Sequence, residues 1–169
     1  MEDNSFSWEQ LGDMETGRPN LGLTTTVEAY RLMEYTIRLV LNNELGADMA
    51  NKLLIQAGIL AGKAFCIHYL DQSLSLNKFL AQVHEKFLEH AIGVLNVEKT
   101  DPEKLNFIVT MSEDLDCSGL PVTGNTVCKY DEGFLAGIFN TYIGKDFEVK
   151  EIDCWATGSR TCRFRIRLK

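Results

Sequence analysis

In FEVKEIDCWATGSRTCRFRIRLK, residues 147–169, two runs of strand-forming residues flank the short segment ATGSR. A period of two interrupted at Gly158 predicts a β-hairpin over this stretch. In its second half Cys162, Phe164, Ile166 and Leu168 fall on one face, and Arg163, Arg165 and Arg167 on the other. That alternation describes a half-buried strand with a solvated cationic face, which also discourages edge-to-edge pairing. Two cysteines, Cys154 and Cys162, stand on either side of the turn.

Upstream, VCKYDEGFLAGIFNTYIG (127–144) changes to helical period, with Tyr130, Phe134, Leu135, Ile138, Phe139 and Tyr142 in phase and Gly144 as the stop. GVLNVEKT and KLNFIVTMSE are short β-rich runs separated by the Asp101-Pro102 turn signal, and GLPVTGNT is a loop. The first half is helical. TTTVEAYRLMEYTIRLVLNNELG carries a Thr25/Glu28 capping box, recurrent Val27, Tyr30, Met33 or Glu34, Ile37, Val40 and Leu41, and a stop at Gly46. A second helix is predicted from about Ala47 to Leu70, with a smooth face of Ala57, Gly58, Ala61 and Gly62, and a third from Leu76 to Ile92. Residues 1–20 read as a polar lead-in with a short helix near Trp8–Met14, and residues 21–169 as a single domain. The order predicts an α+β (α/β two-layer) fold: N-terminal helices packed on an antiparallel sheet, with a C-terminal helix and β-hairpin.

The 169 residues are 45% hydrophobic and 24% charged, enough for a buried core, and the formal net charge of -7 argues against nucleic acid as a partner. MEDNSFSWEQ is acidic and polar where a signal peptide would be basic then apolar, and LLIQAGILAGKAFCIHYL (53–70) is interrupted by Gln56, Lys63 and His68. The expectation is therefore no signal peptide, no membrane span, and a cytoplasmic location where five cysteines stay reduced.

Cys128 opens the later helix, and Glu151 precedes Cys154 in an E-x-x-C pattern. Three thiols and a carboxylate are a donor set that tetrahedral Zn²⁺ accepts, and a helix N-terminus favours the thiolate at Cys128. On spacing alone three readings stay open: structural zinc, a buried trio of thiols, and redox chemistry. Residues three apart on a regular strand face opposite ways, so Glu151 and Cys154 can share a metal only if the strand ends or bulges near Ile152-Asp153. Otherwise Asp153 or a water supplies the fourth ligand. Cys66 reads as a helix-core thiol and Cys117 as a loop thiol.

A pocket between helices and sheet would draw on Phe79, Val83, Phe107, Val109, Phe134 and Ile138, with His84 as a polar anchor. Each of the six apolar residues suits ordinary core better than ligand contact. Gly133 and Gly137 either leave room for a ligand or admit a neighbouring element. No catalytic residue is assigned, and the enzyme question stays open with the balance against catalysis: GFLAG lies inside a helix with the wrong spacing for a dinucleotide fingerprint.

The segment 127–166, with a Cys followed by an aromatic and a Gly-containing helix, then E-x-x-C, a glycine and a Cys leading into Phe, resembles the C-terminal signature of the 4-vinyl reductase domain family. GRPNLG and AYRLMEYTIRLVLNNELG resemble the family's opening, so the resemblance runs from about Gly17 onward. It implies a fold related to TRAPP-type trafficking subunits and haem–nitric-oxide sensor domains, usually dimeric. Related sensory domains of phenol-responsive activators bind small aromatics beside a Zn²⁺ held by Cys, Glu, Cys and Cys. Those positions match Cys128, Glu151, Cys154 and Cys162. The implied function is a homodimeric, zinc-containing regulatory domain for a small hydrophobic or aromatic ligand, with the zinc structural. The alternatives are a tetrapyrrole vinyl reductase or its accessory, and a structural interaction scaffold. A cavity with an aromatic rim favours the first reading, and a solid core with an exposed apolar patch favours the scaffold.

Overall fold

In a computed structural model, which describes residues 6–169, the chain forms an α+β fold. A 3₁₀ turn (Trp8–Leu11) and a one-turn α1 (Met14–Gly17) precede the helices α2 (Val27–Leu45), α3 (Ala47–Tyr69) and α4 (Leu76–Glu89). Strands β1 (Val94–Asp101) and β2 (Asn106–Ser112), helix α5 (Lys129–Ile143), and strands β3 (Phe147–Asp153) and β4 (Cys162–Leu168) follow. The cap of α2 is Thr26 rather than Thr25, its hydroxyl accepting from the Ala29 N–H at 3.3 Å. Gly46 (φ 79°) and Gly144 (φ 73°) end α2 and α5 in backbone conformations that glycine adopts without strain.

The antiparallel sheet runs β1-β2-β4-β3. β4 is thus flanked on both sides, and its arginines serve cross-strand pairing rather than edge protection. Arg163 reaches Glu98 at 2.7 Å and also Asp153, and Arg167 Nε reaches Glu148 at 2.8 Å. Cys162, Phe164 and Ile166 face inward, while Leu168, at the strand end, is exposed. The pairing of β3 with β4 slips between Glu151 and Asp153, an irregularity at the place where a metal shared by Glu151 and Cys154 would need one.

Helix α5 is buried at consecutive positions from Asp131 to Phe139 because it lies between the sheet and α3. Phe139 meets Phe107 and Phe147 on the sheet side, at ring separations of 5.2 and 5.9 Å. On the other side Gly58 and Gly62 of α3 press on Gly133 and Gly137 of α5. A Cβ at any of these four would collide with a main-chain oxygen of the opposite helix: Tyr130, Phe134, Ile55 or Ile59. The paired glycines therefore admit a neighbouring backbone. By length and composition alone α3 meets the measure of a membrane-crossing helix, with mean hydropathy 1.2. The three polar interruptions leave that average intact, and the small-residue face is spent on α5.

Helix α2 departs from its sequence reading. The periodic apolar residues Met33, Ile37 and Val40 are 58, 48 and 58% exposed. Its other face, with Tyr30, Arg31, Glu34 and Tyr35, is turned to the body. Tyr30 donates to Asp116 Oδ1 at 2.8 Å and Tyr35 to the Asp116 carbonyl at 3.0 Å. Arg31 donates to the carbonyls of Leu115, Asp114 and Ser118 at 2.7, 3.3 and 3.0 Å. The loop beyond β2 offers a row of main-chain oxygens, and polar side chains satisfy them better than apolar ones would.

Candidate metal centre and aromatic groove

Four elements deliver one sulfur each to a single point. Cys128 is the N-cap of α5, Cys154 begins the 3₁₀ turn Trp155–Thr157, Cys162 begins β4, and Cys117 lies in the loop after β2. Local hydrogen bonds fix each arm. Asp114 Oδ1 accepts from the Asp116 and Cys117 N–H groups at 2.8 and 3.2 Å, an Asx turn that aims Cys117 inward. Thr157 Oγ1 accepts from the Cys154 N–H at 3.0 Å and donates to the Cys154 carbonyl at 2.8 Å.

All four thiols are buried, and their sulfurs lie within 4.8 Å of one another. Cys128 Sγ stands 3.9 Å from both Cys154 and Cys162, and Cys117 Sγ is 3.0 Å from Cys162. Metal–sulfur bonds of about 2.3 Å in a tetrahedron place sulfurs ~3.8 Å apart. The two Cys128 distances fit that figure, and the Cys117–Cys162 pair must open modestly. Contacts with Cys117, Cys128 and Cys162 hold Cys154 well below the ordinary thiol range, so one member of the group carries negative charge readily. Contacts within the group push Cys128 and Cys162 up. The donor set suits a thiophilic divalent cation such as Zn²⁺.

Glu151 lies beside this group. Its Oε2 accepts from the Cys128 N–H at 3.0 Å, while Oε1 is buried with no hydrogen-bond partner. Burial pushes its carboxyl up to about 8. Its own N–H donates to Glu132 Oε1 at 3.0 Å, which also takes Lys129 Nζ at 2.7 Å. Three of the four residues matched by resemblance thus meet through sulfur, and Cys117 completes the sulfur group. The register pairs Met111 with Cys162. Residues just past the end of β2 therefore lie near the start of β4, which is how Cys117 joins the group from a loop that carries no sequence mark of it.

The residues expected to line a pocket are distributed differently. Phe79, Val83, Phe107, Val109 and Ile138 are 0–1% exposed. Phe79 stacks on Tyr142 with ring centres 3.7 Å apart, and Phe107 is shared between Phe139 and Phe147. His84 is on the other side of α4, its Nδ1 on the Leu95 carbonyl, in a shallow surface depression with Leu80 and Asn96. Phe134 alone of the seven borders the aromatic groove described next.

That groove, of about 320 Å³, runs between the N-terminal segment and the packed helices. Trp8, Phe65, Tyr69, Tyr130 and Phe134 form its walls, and His90, Asp116 and Asp131 are also among the residues that line it. It continues past Trp8, Phe65 and Phe134 into a second hollow of about 460 Å³ bordered by Leu60 and Ala64. Trp8 is held by stacking on His68 at 4.0 Å and edge-on to Tyr69 at 5.4 Å. Asp116 and Asp131 are 2 and 5% exposed, and each has an Oδ2 without a hydrogen-bond partner. Burial is the main cause pushing Asp116 up to about 6 and Asp131 well above the carboxylate range. The charge of Asp114 comes next for Asp116, and the charge of Asp116 next for Asp131. Nothing in the sequence pattern marks this groove, because its parts come from opposite ends of the chain.

Residues 107–168 match the V-4-R domain. The chain is 26% identical over 151 residues to the uncharacterized protein MJ1642 of Methanocaldococcus jannaschii, covering 88% of this chain and 81% of that protein. Its fold is similar to the phenol-responsive sensory domain of the transcription activator PoxR, solved with phenol. That similarity has a TM-score of 0.67 at 15% identity and covers 86% of this chain and 76% of the other. A vinyl-4-reductase family protein from Methanocaldococcus jannaschii gives 0.64 at 14% identity and 99% coverage of both chains. A trafficking protein particle complex subunit 3 from Naegleria fowleri, covalently bound to palmitic acid, gives 0.66 at 13% identity and covers 85 and 95%.

Proposed function

We propose that this chain, whose residues 107–168 match the V-4-R domain, works as a metal-fastened, self-associating interaction module rather than as a catalyst. A structural Zn²⁺ held by Cys117, Cys128, Cys154 and Cys162 would tie the loop after β2, the start of α5 and the hairpin into one rigid piece. Zinc supplies no redox step there; it crosslinks elements that share few hydrogen bonds. Cys128, Cys154 and Cys162 belong to both conceivable ligand sets. For the fourth place Cys117 is favoured over Glu151, because the Cys117 sulfur lies within 4.8 Å of the other three and no Glu151 oxygen belongs to that group. The partner is a second copy of the chain, met through the outward face of α2. The single observation that carries the reading is that apolar stripe: Met33, Ile37 and Val40 at one-turn spacing, exposed on a helix whose polar side faces inward. A reducing cytoplasm suits five unpaired, buried cysteines.

The test combines light scattering with metal analysis of the untagged protein. A dimer carrying one zinc per chain is expected, and Ile37→Asp should give a folded, zinc-bearing monomer. A wild-type monomer would overturn the self-association. Cobalt(II) substitution decides the ligand set. Glu151→Gln should keep the intense sulfur charge-transfer bands of a four-thiolate site, and Cys117→Ser should weaken them. The reverse result would restore Glu151 as the ligand.

The aromatic groove favours a second reading, in which a small organic molecule is captured and its presence is passed on through the dimer. The likeness to a sensory domain solved with phenol supports it. So does the groove's composition of aromatic walls with few polar groups.

A further inference from the structure

The N-terminal segment over the aromatic groove is built as a piece of its own. Among the described residues, the hydrogen bonds of residues 6–22 all stay inside the segment. The Ser7 N–H donates to Gln10 Oε1 at 3.0 Å, the Thr16 N–H to Asp13 Oδ1 at 3.0 Å, and Arg18 Nε to the Gly22 carbonyl at 2.9 Å. Leu23, Thr24 and Thr25 then lead to α2 with no hydrogen bond among the described residues. One side chain fastens the piece. Trp8 is the only residue between 6 and 29 that is not exposed, and its ring lies on His68 and Tyr69.

Beneath the segment the packing is incomplete. Trp8 borders three hollows, of about 320, 460 and 200 Å³, and Phe6 borders the last two. Phe6, Leu11 and Met14 are still 39, 42 and 41% exposed. A protein interior leaves few voids larger than a water molecule, and the lining of a void forfeits contacts. A cover that spans such hollows and is fastened at one point is not part of the core.

We propose that residues 6–22 form a lid over the aromatic groove, latched by Trp8 on His68 and turning on Leu23–Thr25, which opens to admit an occupant and closes down on it. The inference rests on the ligand-binding reading above and gives that site its gate. Occupancy and closure support each other, because an occupant touches Trp8 and Leu11 only when the lid is down. The local hydrogen bonds let the lid move as one body, so opening breaks the aromatic latch and leaves the turns intact. A stack of this kind shifts an equilibrium about three- to ten-fold, weak enough to release and strong enough to favour closure.

His68 separates latch from wall: it is exposed and borders neither of the two larger hollows. In a Trp155→Phe background Trp8 is the one remaining tryptophan. There His68→Ala should raise acrylamide quenching of Trp8 about three-fold without lowering the melting temperature. The probe for the gate is 2-naphthol, an uncharged flat aromatic, followed by stopped-flow fluorescence on the full chain. His68→Ala should speed its association and its dissociation together, about three- to ten-fold each, and leave Kd within about two-fold. Unaltered quenching, or a melting temperature that falls with His68→Ala, would overturn the proposal and make the segment fixed structure. Unaltered rates would overturn it too, as would faster dissociation alone, which marks His68 as a contact to the probe. If 2-naphthol does not bind the parent chain while His68→Ala still frees Trp8, the lid stands and the ligand-binding reading falls.

Discussion

Between α3 and α5 the backbones touch through glycine, whereas α2 is held off the body by long polar side chains that reach the oxygens of the 114–118 loop. Both contacts attach a helix to the same core, yet they respond to change in different ways. A glycine-to-glycine seam has no give, since each Cα faces a carbonyl of the opposite helix and any added carbon must move a whole helix. A seam of arginine and tyrosine hydrogen bonds can lose a member and keep its geometry. The first contact is core, and the second leaves an apolar face outside that only another surface can cover.

The widest gap between the two seams should appear on substitution. Gly62→Ala, which drives a methyl into the Phe134 carbonyl, should lower the melting temperature by about 10 °C or abolish folding, as overpacking against backbone does. Unchanged melting would show that the helices are farther apart than described. Arg31→Met removes three hydrogen bonds to carbonyls but keeps the aliphatic stem. It should cost about 2 kcal/mol, read by urea denaturation, with the fold intact. Val40→Asp, on the outer face of α2, should change the stability of a diluted, monomeric sample by less than about 0.5 kcal/mol while removing the dimer from light scattering. A large loss of monomer stability there would mean that the face is already covered within one chain.

The smallest effect concerns Cys66, on the α3 side. Burial pushes its thiol up to about 11 from 9.0, so the folded state holds this proton more tightly than the unfolded one. Its contribution is complete below pH 9 and disappears as pH rises through 11. Stability of Cys66→Ala should therefore fall less steeply than wild type between pH 9 and 11. Parallel curves would mean that the thiol ionises freely in the fold.

The order of elements, the hairpin and the glycine face of α3 are legible in the sequence because each is local: period, turn chemistry and residue size act over a few positions. The irregularity at Ile152 is legible only as a condition, the one on which Glu151 and Cys154 could face one way. The direction in which α2 turns is not. Met33, Ile37 and Val40 make a regular apolar stripe, and periodicity says that a stripe exists without saying whether it meets the chain's own core or another molecule. Cys117 is likewise hidden. Its partners are brought by sheet register and by the Asx turn at Asp114, and a lone cysteine in a loop carries no mark of either. The groove itself depends on Trp8, Phe65 and Phe134 meeting from distant parts of the chain, which local patterns do not encode.

Cys117 sits in a loop that α2 grips, with Arg31 and the two tyrosines on residues 114–118 and the sulfur in the group with Cys128, Cys154 and Cys162. A load placed on either end of such a pivot is felt at the other. If assembly through α2 steadies that loop, it raises the affinity of the sulfur group for its ion, and the ion must favour assembly by the same factor. The protein would then count its copies and its metal on a single scale, with that short loop as the fulcrum.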